Sequence, residues 1–309
     1  MKNNKYSLYP ITYPKLWELY KTHEASIWHA EKIQYEEDLK DLERLSKDEM
    51  FYLTRILAFF AQSDGIVNEN LAIRFYKDVE IPEARAFYTI QAFQETVHAE
   101  TYSLLIDTYV KSEEEKEKLF NAMENIAVVK KKADWAMRWI HSQESFAKRL
   151  LAFAVIEGVF FSASFCGIYW FRKRGLLSNG LSVANDYIAR DEGLHWQFAA
   201  ALFKEMKLKL SQEDVEAVIK EAVAIEKEFT TDAIPVRLIG LNSDDMCQYI
   251  EHVADNVSLA FGFRKIYNAN NPFDFMKLIN LESQKNFFEK KVTEYQKSMD
   301  RTVSFDEDF

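Results

Sequence analysis

Over most of the chain, apolar residues return three or four positions apart, the spacing that gathers side chains on one face of an α-helix. That period predicts helices near 30–45, 47–78, 82–110, 113–123, 129–141, 143–173, 182–207, 212–230, 244–264 and 284–298. Local start signals agree for two of them. In "LSKDEM" a serine stands as a cap before an apolar-periodic run, and "EIPEARAF" puts Pro82 in a first helical turn. Glycine (8) and proline (5) are too scarce to punctuate a sheet protein of 309 residues, so an all-α fold of long helices and short links is expected. No Gly/Ser linker or low-complexity tract interrupts the pattern, which predicts one domain over 1–298 with an N-terminal arm over 1–28. The last stretch, 299–309, is acidic, lacks a helical period and ends on Phe309; it reads as a flexible tail.

One segment departs from the amphipathic pattern. From Leu150 to Phe171, "LLAFAVIEGVFFSASFCGIYWF" is apolar all round and long enough to cross a bilayer, which takes about 20 residues. Its single charge, Glu157, lies near the middle, where a charge costs about 2.5–3.5 kcal/mol on insertion scales. A helix buried on all sides inside a large bundle accounts for the same run, so no membrane association is expected.

Composition narrows the function classes. Apolar residues make up 48% and aromatics 15%, ample for a large core. A formal charge of −10 argues against a broad nucleic-acid surface, and the basic runs in "VVKKKADW" and "FRKRG" are too short to make one. Cys166 and Cys247 are the only cysteines, which fits a reducing compartment. The N-terminal "MKNNKYSLYPITYP" has no apolar signal core, so a cytoplasmic location is expected.

The candidate chemistry lies in charged residues set into apolar stripes. Twice a glutamate precedes a histidine by three: Glu95/His98 in "FQETVHAETY" and Glu192/His195 in "ARDEGLHWQF". The first pair shares its helix face with Tyr88, Ala92, Tyr102 and Leu105, the second with Ile188, Phe198 and Leu202. Two further stripes each carry a carboxylate. Asp64 lies among Leu57, Phe60, Val67 and Leu71, and Glu157 among Leu150, Phe153, Phe161 and Phe165. Carboxylate helix and pair helix thus alternate twice, with the pairs 97 residues apart (192 − 95 and 195 − 98), as in a duplicated two-helix unit.

A lone Glu three before a His is commonly a surface contact. Of the six histidines only His98 and His195 have that glutamate, and both lie on apolar faces. Four buried carboxylates would be ruinous in a plain core unless paired or metal-bound. Two Fe(II) supply +4 against −4; after oxidation, two Fe(III) at +6 with an oxo bridge at −2 restore neutrality. Mixed imidazole and carboxylate donors suit iron or manganese better than zinc or calcium. This ligand set resembles that of ferritin-like di-iron and di-manganese carboxylate bundles.

The stretches "FFAQSDGIVNEN", "ETVHAETYSLLIDTYV", "KKKADWAMRWI", "ARDEGLH", "NPFDFM" and "NFFEKKVTEYQK" resemble a known family over nearly the whole chain. It is the small, radical-generating subunit of class I ribonucleotide reductase, and the likeness is greatest to the branch of eukaryotes and their large DNA viruses. The resemblance implies a ferritin-like helical bundle with two iron ions per chain, oxo-bridged after reaction with O2; manganese is compatible with the same ligands. It implies Asp64, Glu95 and His98 at one metal and Glu157, Glu192 and His195 at the other, with Glu95 and Glu192 bridging. Tyr102, four residues after His98, takes the place of the radical tyrosine, and one helical turn puts it on the ligand face. Phe161, Phe165 and Ile188 match the apolar radical pocket.

Trp28, Asp191 and Tyr295 match a relay that carries the radical equivalent to a separate large subunit, where ribonucleotides are reduced. The tail ending "FDEDF" matches the segment that docks on that subunit, and a homodimer is implied. Two departures bear on docking: the sequence after Trp28 is unusually rich in Lys and Glu, and only 14 residues (309 − 295) link Tyr295 to the end. The rival readings are a dimetal oxidase or hydroxylase on the same scaffold, and an iron-storage bundle without a radical. Asp64 in place of a glutamate, Tyr102, Trp28 and the acidic tail weigh against the oxidase or hydroxylase.

Overall fold

A computed structural model of the chain describes residues 7–207, 209–234, 238 and 240–276. The architecture is helical, and among the described residues the only extended pairing is a single bridge between Leu238 and Leu241. The long helices are Lys47–Asn70, Pro82–Tyr109, Ala127–Ile140, Leu181–Glu205, Gln212–Ala233 and Ser243–Ala260, close to the expected spans. Ser46 opens the first with a reciprocal cap: its hydroxyl accepts the Glu49 N–H while the Glu49 carboxylate accepts the Ser46 N–H. Such caps contribute about 1 kcal/mol each.

The helix boundaries differ from the expected ones in three places. The N-terminal arm contains a helix, Pro14–Glu24, started by Pro14 and burying Leu16, Leu19 and His23. The helix expected over 30–45 is instead a series of short turns: Ala30–Lys32, Tyr35–Asp38 and Leu39–Leu42. Its polar residues are tied elsewhere, which a helical period does not foresee. The buried Asp38 carboxylate accepts the N–H groups of Asn179, Gly180 and Leu181 and the hydroxyl of Tyr109, and so caps the start of Leu181–Glu205. Glycine is required at 180, where an added Cβ would lie 2.9 Å from Asp38 Oδ2 and 3.0 Å from the Tyr35 Cα. The expected helices 47–78 and 143–173 are each interrupted by a wider π turn, at Leu71–Phe75 and Ile156–Phe160. The helix expected over 284–298 lies outside the described residues.

The apolar segment Phe146–Lys173 is buried along its most apolar stretch, as expected for a central helix and not a membrane span. It packs against Leu181–Glu205, Gln212–Ala233 and Ser243–Ala260. Lys47–Asn70 lies along Pro82–Tyr109, and the Pro14–Glu24 helix covers both Pro82–Tyr109 and Leu181–Glu205. The two halves of the duplicated pattern are therefore two helix pairs. All of this belongs to the compact unit Met1–Pro272; a second unit begins at Phe273.

The ion pair between Lys132 and Glu226 is fully enclosed. Lys132 Nζ lies 2.6 Å from Glu226 Oε2, donates to the Phe160 carbonyl, and sits over the rings of Phe59 and Phe229.

Candidate metal centre

The four carboxylate-bearing stripes converge. Donor atoms of Glu95, Glu157, Glu192 and His195 lie within 4.8 Å of one another, and so do those of Asp64, Glu95 and His98. All six expected ligands are thus together and buried. Each histidine turns Nδ1 toward the carboxylates. His98 Nδ1 is 3.1 Å from Glu192 Oε1 and 3.4 Å from Glu95 Oε2, while His195 Nδ1 is 3.0 Å from Glu192 Oε2 and 3.0 Å from Glu95 Oε1. Glu95 and Glu192 therefore each span both histidines with their two oxygens, the placement a bridging carboxylate needs. Glu157 sits in the π turn Ile156–Phe160, a local widening that is frequent at functional sites.

The donor set fits a pair of cations on a direct observation. Asp64 Oδ2, Glu95 Oε2, Glu157 Oε2, Glu192 Oε1 and His98 Nδ1 are all buried without a well-directed hydrogen bond, and the last four meet an opposite partner only as close ion-pair contacts. Orphaned oxygens in a core are costly unless a cation meets them. Burial pushes Asp64 well above the ordinary carboxylate range, with Glu95 adding to the effect. Glu192 is pushed up likewise by burial, then by Glu157 and Glu95. Burial alone would raise Glu95, but His195 and His98 outweigh it and hold the carboxyl at about 2. Burial would lower His195, yet Glu95 and Glu157 push it up to about 10. Protons thus offset the crowded carboxylates, and cations would take their place.

Around this centre the structure adds residues that sequence reasoning missed. Gln91 donates to Glu157 Oε1 at 3.1 Å, and Gln94 donates to Asp191 Oδ2 at 3.1 Å. Their spacing was readable, since Gln91 stands four before Glu95 and Gln94 four before His98. The outward nitrogens of the two histidines meet different groups. His98 Nε2 is 3.3 Å from Asp191 Oδ2, which also accepts the Trp28 indole N–H at 2.7 Å. Trp28, Asp191 and His98 are thus linked in the expected order, with Arg190 donating to the other Asp191 oxygen. His195 Nε2 instead lies 3.0 Å from Nε2 of His23, a buried residue 172 positions away. Nothing in the local sequence announces that contact.

Tyr102 is buried, and its hydroxyl has no hydrogen-bond partner among the described residues. Burial raises its phenol well above the ordinary value, and the charges of Asp64, Glu192 and Glu95 add to this, so the carboxylate cluster is within electrostatic reach. Its nearest ring is Phe60, stacked at 4.5 Å with planes 3° apart. Phe161 and Phe165 pack on Phe60 at 5.5 and 5.0 Å, and Ile188 is buried on the Glu192 helix. Phe60 was legible only as one more core residue, although it stands four before Asp64. Tyr295 and the tail lie outside the described residues.

Comparison with known proteins agrees with this arrangement. The family described as "Ribonucleotide reductase, small chain" matches residues 5–272. The ribonucleoside-diphosphate reductase small chain of Vaccinia virus (strain Copenhagen) is 51% identical over 311 residues, spanning 99% of this chain and 97% of the viral one. The corresponding small subunit of Dictyostelium discoideum is 50% identical over 325 residues, spanning 100% of this chain and 96% of its own. The solved Rnr4 homodimer of Saccharomyces cerevisiae is similar with a TM-score of 0.80 at 35% identity, covering 94% of this chain and 89% of the yeast one. The dimanganese(II)-NrdF of Streptococcus sanguinis, with a TM-score of 0.76 at 17% identity over 85% of this chain and 93% of its own, shares the fold. Sequence and fold agree along nearly the full length: the chain belongs to the ribonucleotide reductase small-chain family, the oxidoreductase component that works with a separate large subunit.

Proposed function

We propose that this small subunit holds two iron ions among Asp64, Glu95, His98, Glu157, Glu192 and His195, and stores an oxidising equivalent as a phenoxyl radical on Tyr102. When bound, the metals supply the reaction with O2 whose oxidising power removes one electron from Tyr102. The observation that carries this reading is the environment of that phenol: it is shut off from water, stacks on Phe60, and stands one helical turn after His98 within electrostatic reach of the carboxylate cluster.

The protein residues account for the rest. Because burial keeps Tyr102 a neutral phenol, its oxidation releases a proton as well as an electron. The rings of Phe60, Phe161 and Phe165 exclude solvent and reductants from the radical. Asp191 is kept ionised well below the usual range, since His98 and Arg190 outweigh its burial. Its Oδ2 accepts from the Trp28 indole, so the fixed anion can stabilise the positive charge that forms when Trp28 is oxidised. The equivalent then passes by way of Tyr295 to the large subunit, docked through the tail ending at Phe309. A homodimer in the cytoplasm is the setting proposed.

The test is to add Fe(II) and O2 to metal-free protein and record the EPR spectrum with metal analysis. A persistent tyrosyl signal with two irons per chain supports the reading. Two bound irons without any tyrosyl signal would turn it toward storage or oxygenation.

A further inference from the structure

Six histidines occur in the chain, and three of them form a buried row across the centre: His98, His195 and His23. The first two are the expected ligands. His23 sits near the end of the Pro14–Glu24 helix, whose last turn is fixed by Ser26, since both its N–H and its hydroxyl donate to the His23 carbonyl. The His23 ring lies 5.5 Å from that of Phe87 and 5.0 Å from that of His195. Phe87 also meets His195 edge-on and stacks on Phe198 at 3.8 Å, so the two imidazoles are held against an aromatic wall.

Proton counting decides what the 3.0 Å contact between the two Nε2 atoms must be. Two N–H groups cannot point at each other, and two lone pairs would repel, so one ring donates and the other accepts. His195 turns Nδ1 to Glu95, Glu157 and Glu192. When Nδ1 gives its lone pair to a metal, the ring's remaining proton is on Nε2. His23 Nε2 is then the acceptor.

We propose that His23 is a positioning residue for His195: a neutral imidazole whose Nε2 accepts the His195 Nε2–H and fixes the tautomer and ring plane that present Nδ1 to the metal. It rests on the metal-site reading above. Ligating histidines commonly donate their other N–H to a carboxylate, a carbonyl or water. His98 has such a partner in Asp191 Oδ2, while His195 has a second imidazole. The two ends of the centre are therefore backed by unlike groups, one anionic and one neutral.

The experiment uses the full chain loaded with Zn(II), which is diamagnetic, and long-range 1H–15N spectra of the labelled histidines. His195 should carry its proton on Nε2, and His23 on Nδ1 alone. Finding His23 protonated on Nε2 would overturn the proposal. Mn(II) titrations of two variants supply a second readout. His23→Met, similar in length but without the ring nitrogen, should weaken one of the two Mn(II) ions by about 10–100-fold. His23→Gln, whose amide oxygen can take the place of Nε2, should bind both with nearly wild-type affinity. Unchanged binding in His23→Met, or equal weakening in both variants, would refute a positioning role. Failure of the wild-type chain to bind two ions would instead remove the metal-site reading, and this proposal with it.

Discussion

Phe60 and Tyr102 lie face to face, 4.5 Å apart and 3° from parallel, although 42 residues separate them (102 − 60). The contact joins the Asp64 helix to the Glu95 helix and places a flat hydrocarbon lid over the phenol. Phe60→Leu removes that lid and a ring pair worth about 0.5–1.5 kcal/mol beyond its buried area. The expected result is normal metal content and a Tyr102 radical that forms but decays faster, followed by the loss of EPR signal with time. A wild-type lifetime would show that the stack offers no protection.

Tyr102→Phe deletes a hydroxyl that has no partner among the described residues. A buried hydroxyl left unsatisfied costs about 1–3 kcal/mol, so the metal-free variant should be as stable as the parent or more so. Its thermal midpoint should hold or rise, and the tyrosyl EPR signal should vanish. An unchanged radical would mean that another tyrosine carries it.

His195→Ala should bind fewer than two metals per chain, measured by elemental analysis. It also removes the cation that Glu95 and Glu157 face in the metal-free protein, so urea unfolding should report a loss of about 3–5 kcal/mol. Two tightly bound metals with normal O2 uptake would exclude His195 as a ligand.

Lys132 and Glu226 provide a test away from the centre. Burial lowers Lys132 from 10.5 to about 8 and raises Glu226 from 4.5 to about 7, so for both groups it outweighs the pairing. Folded Glu226 keeps its proton to higher pH than unfolded, so its contribution to stability falls between pH 4.5 and about 7. Folded Lys132 loses its proton earlier than unfolded, so its contribution rises again between about pH 8 and 10.5. The pair therefore contributes least near pH 7–8. Lys132→Met alone should cost about 3–5 kcal/mol by stranding Glu226, and adding Glu226→Leu should restore most of it. Urea curves across this pH range should show the double variant gaining most on the parent near neutrality.

Tyr295→Phe separates making the radical from delivering it. The variant should form a normal centre and a normal Tyr102 radical and still bind the large subunit through the intact "FDEDF" end. Nucleotide reduction should be nearly abolished, because phenylalanine is far harder to oxidise. Wild-type turnover in a reconstituted assay would remove Tyr295 from the relay.

The candidate ligands were legible because a carboxylate or an imidazole inside an apolar stripe violates the pattern that surrounds it. Asp64, Glu95, His98, Glu157, Glu192 and His195 each stand out in this way, and the structure brings all six together. Phe60 violates nothing in a chain with 24 phenylalanines, so its stack on Tyr102 was invisible. His23 and Asp38 were missed for another reason: their partners, His195 and Asn179 to Leu181, are far along the chain. The π turn at Ile156–Phe160 leaves no mark on apolar spacing, because one extra residue per turn is lost in a segment apolar on every face.

The burial of Phe146–Lys173 also has a consequence for how the chain is made. Three of the helices that cover it, Leu181–Glu205, Gln212–Ala233 and Ser243–Ala260, follow it in sequence. A ribosome adding about 5–20 residues per second finishes them on the order of ten seconds later. During that interval the faces that those three helices will cover lack their partners, on a segment long enough to be taken for a membrane anchor. Glu157 stands against that error, since its charge near the segment's middle opposes insertion by about 2.5–3.5 kcal/mol. One carboxylate thus serves the chain twice, first by keeping an unfinished helix out of the bilayer and then by facing the centre that the completed bundle encloses.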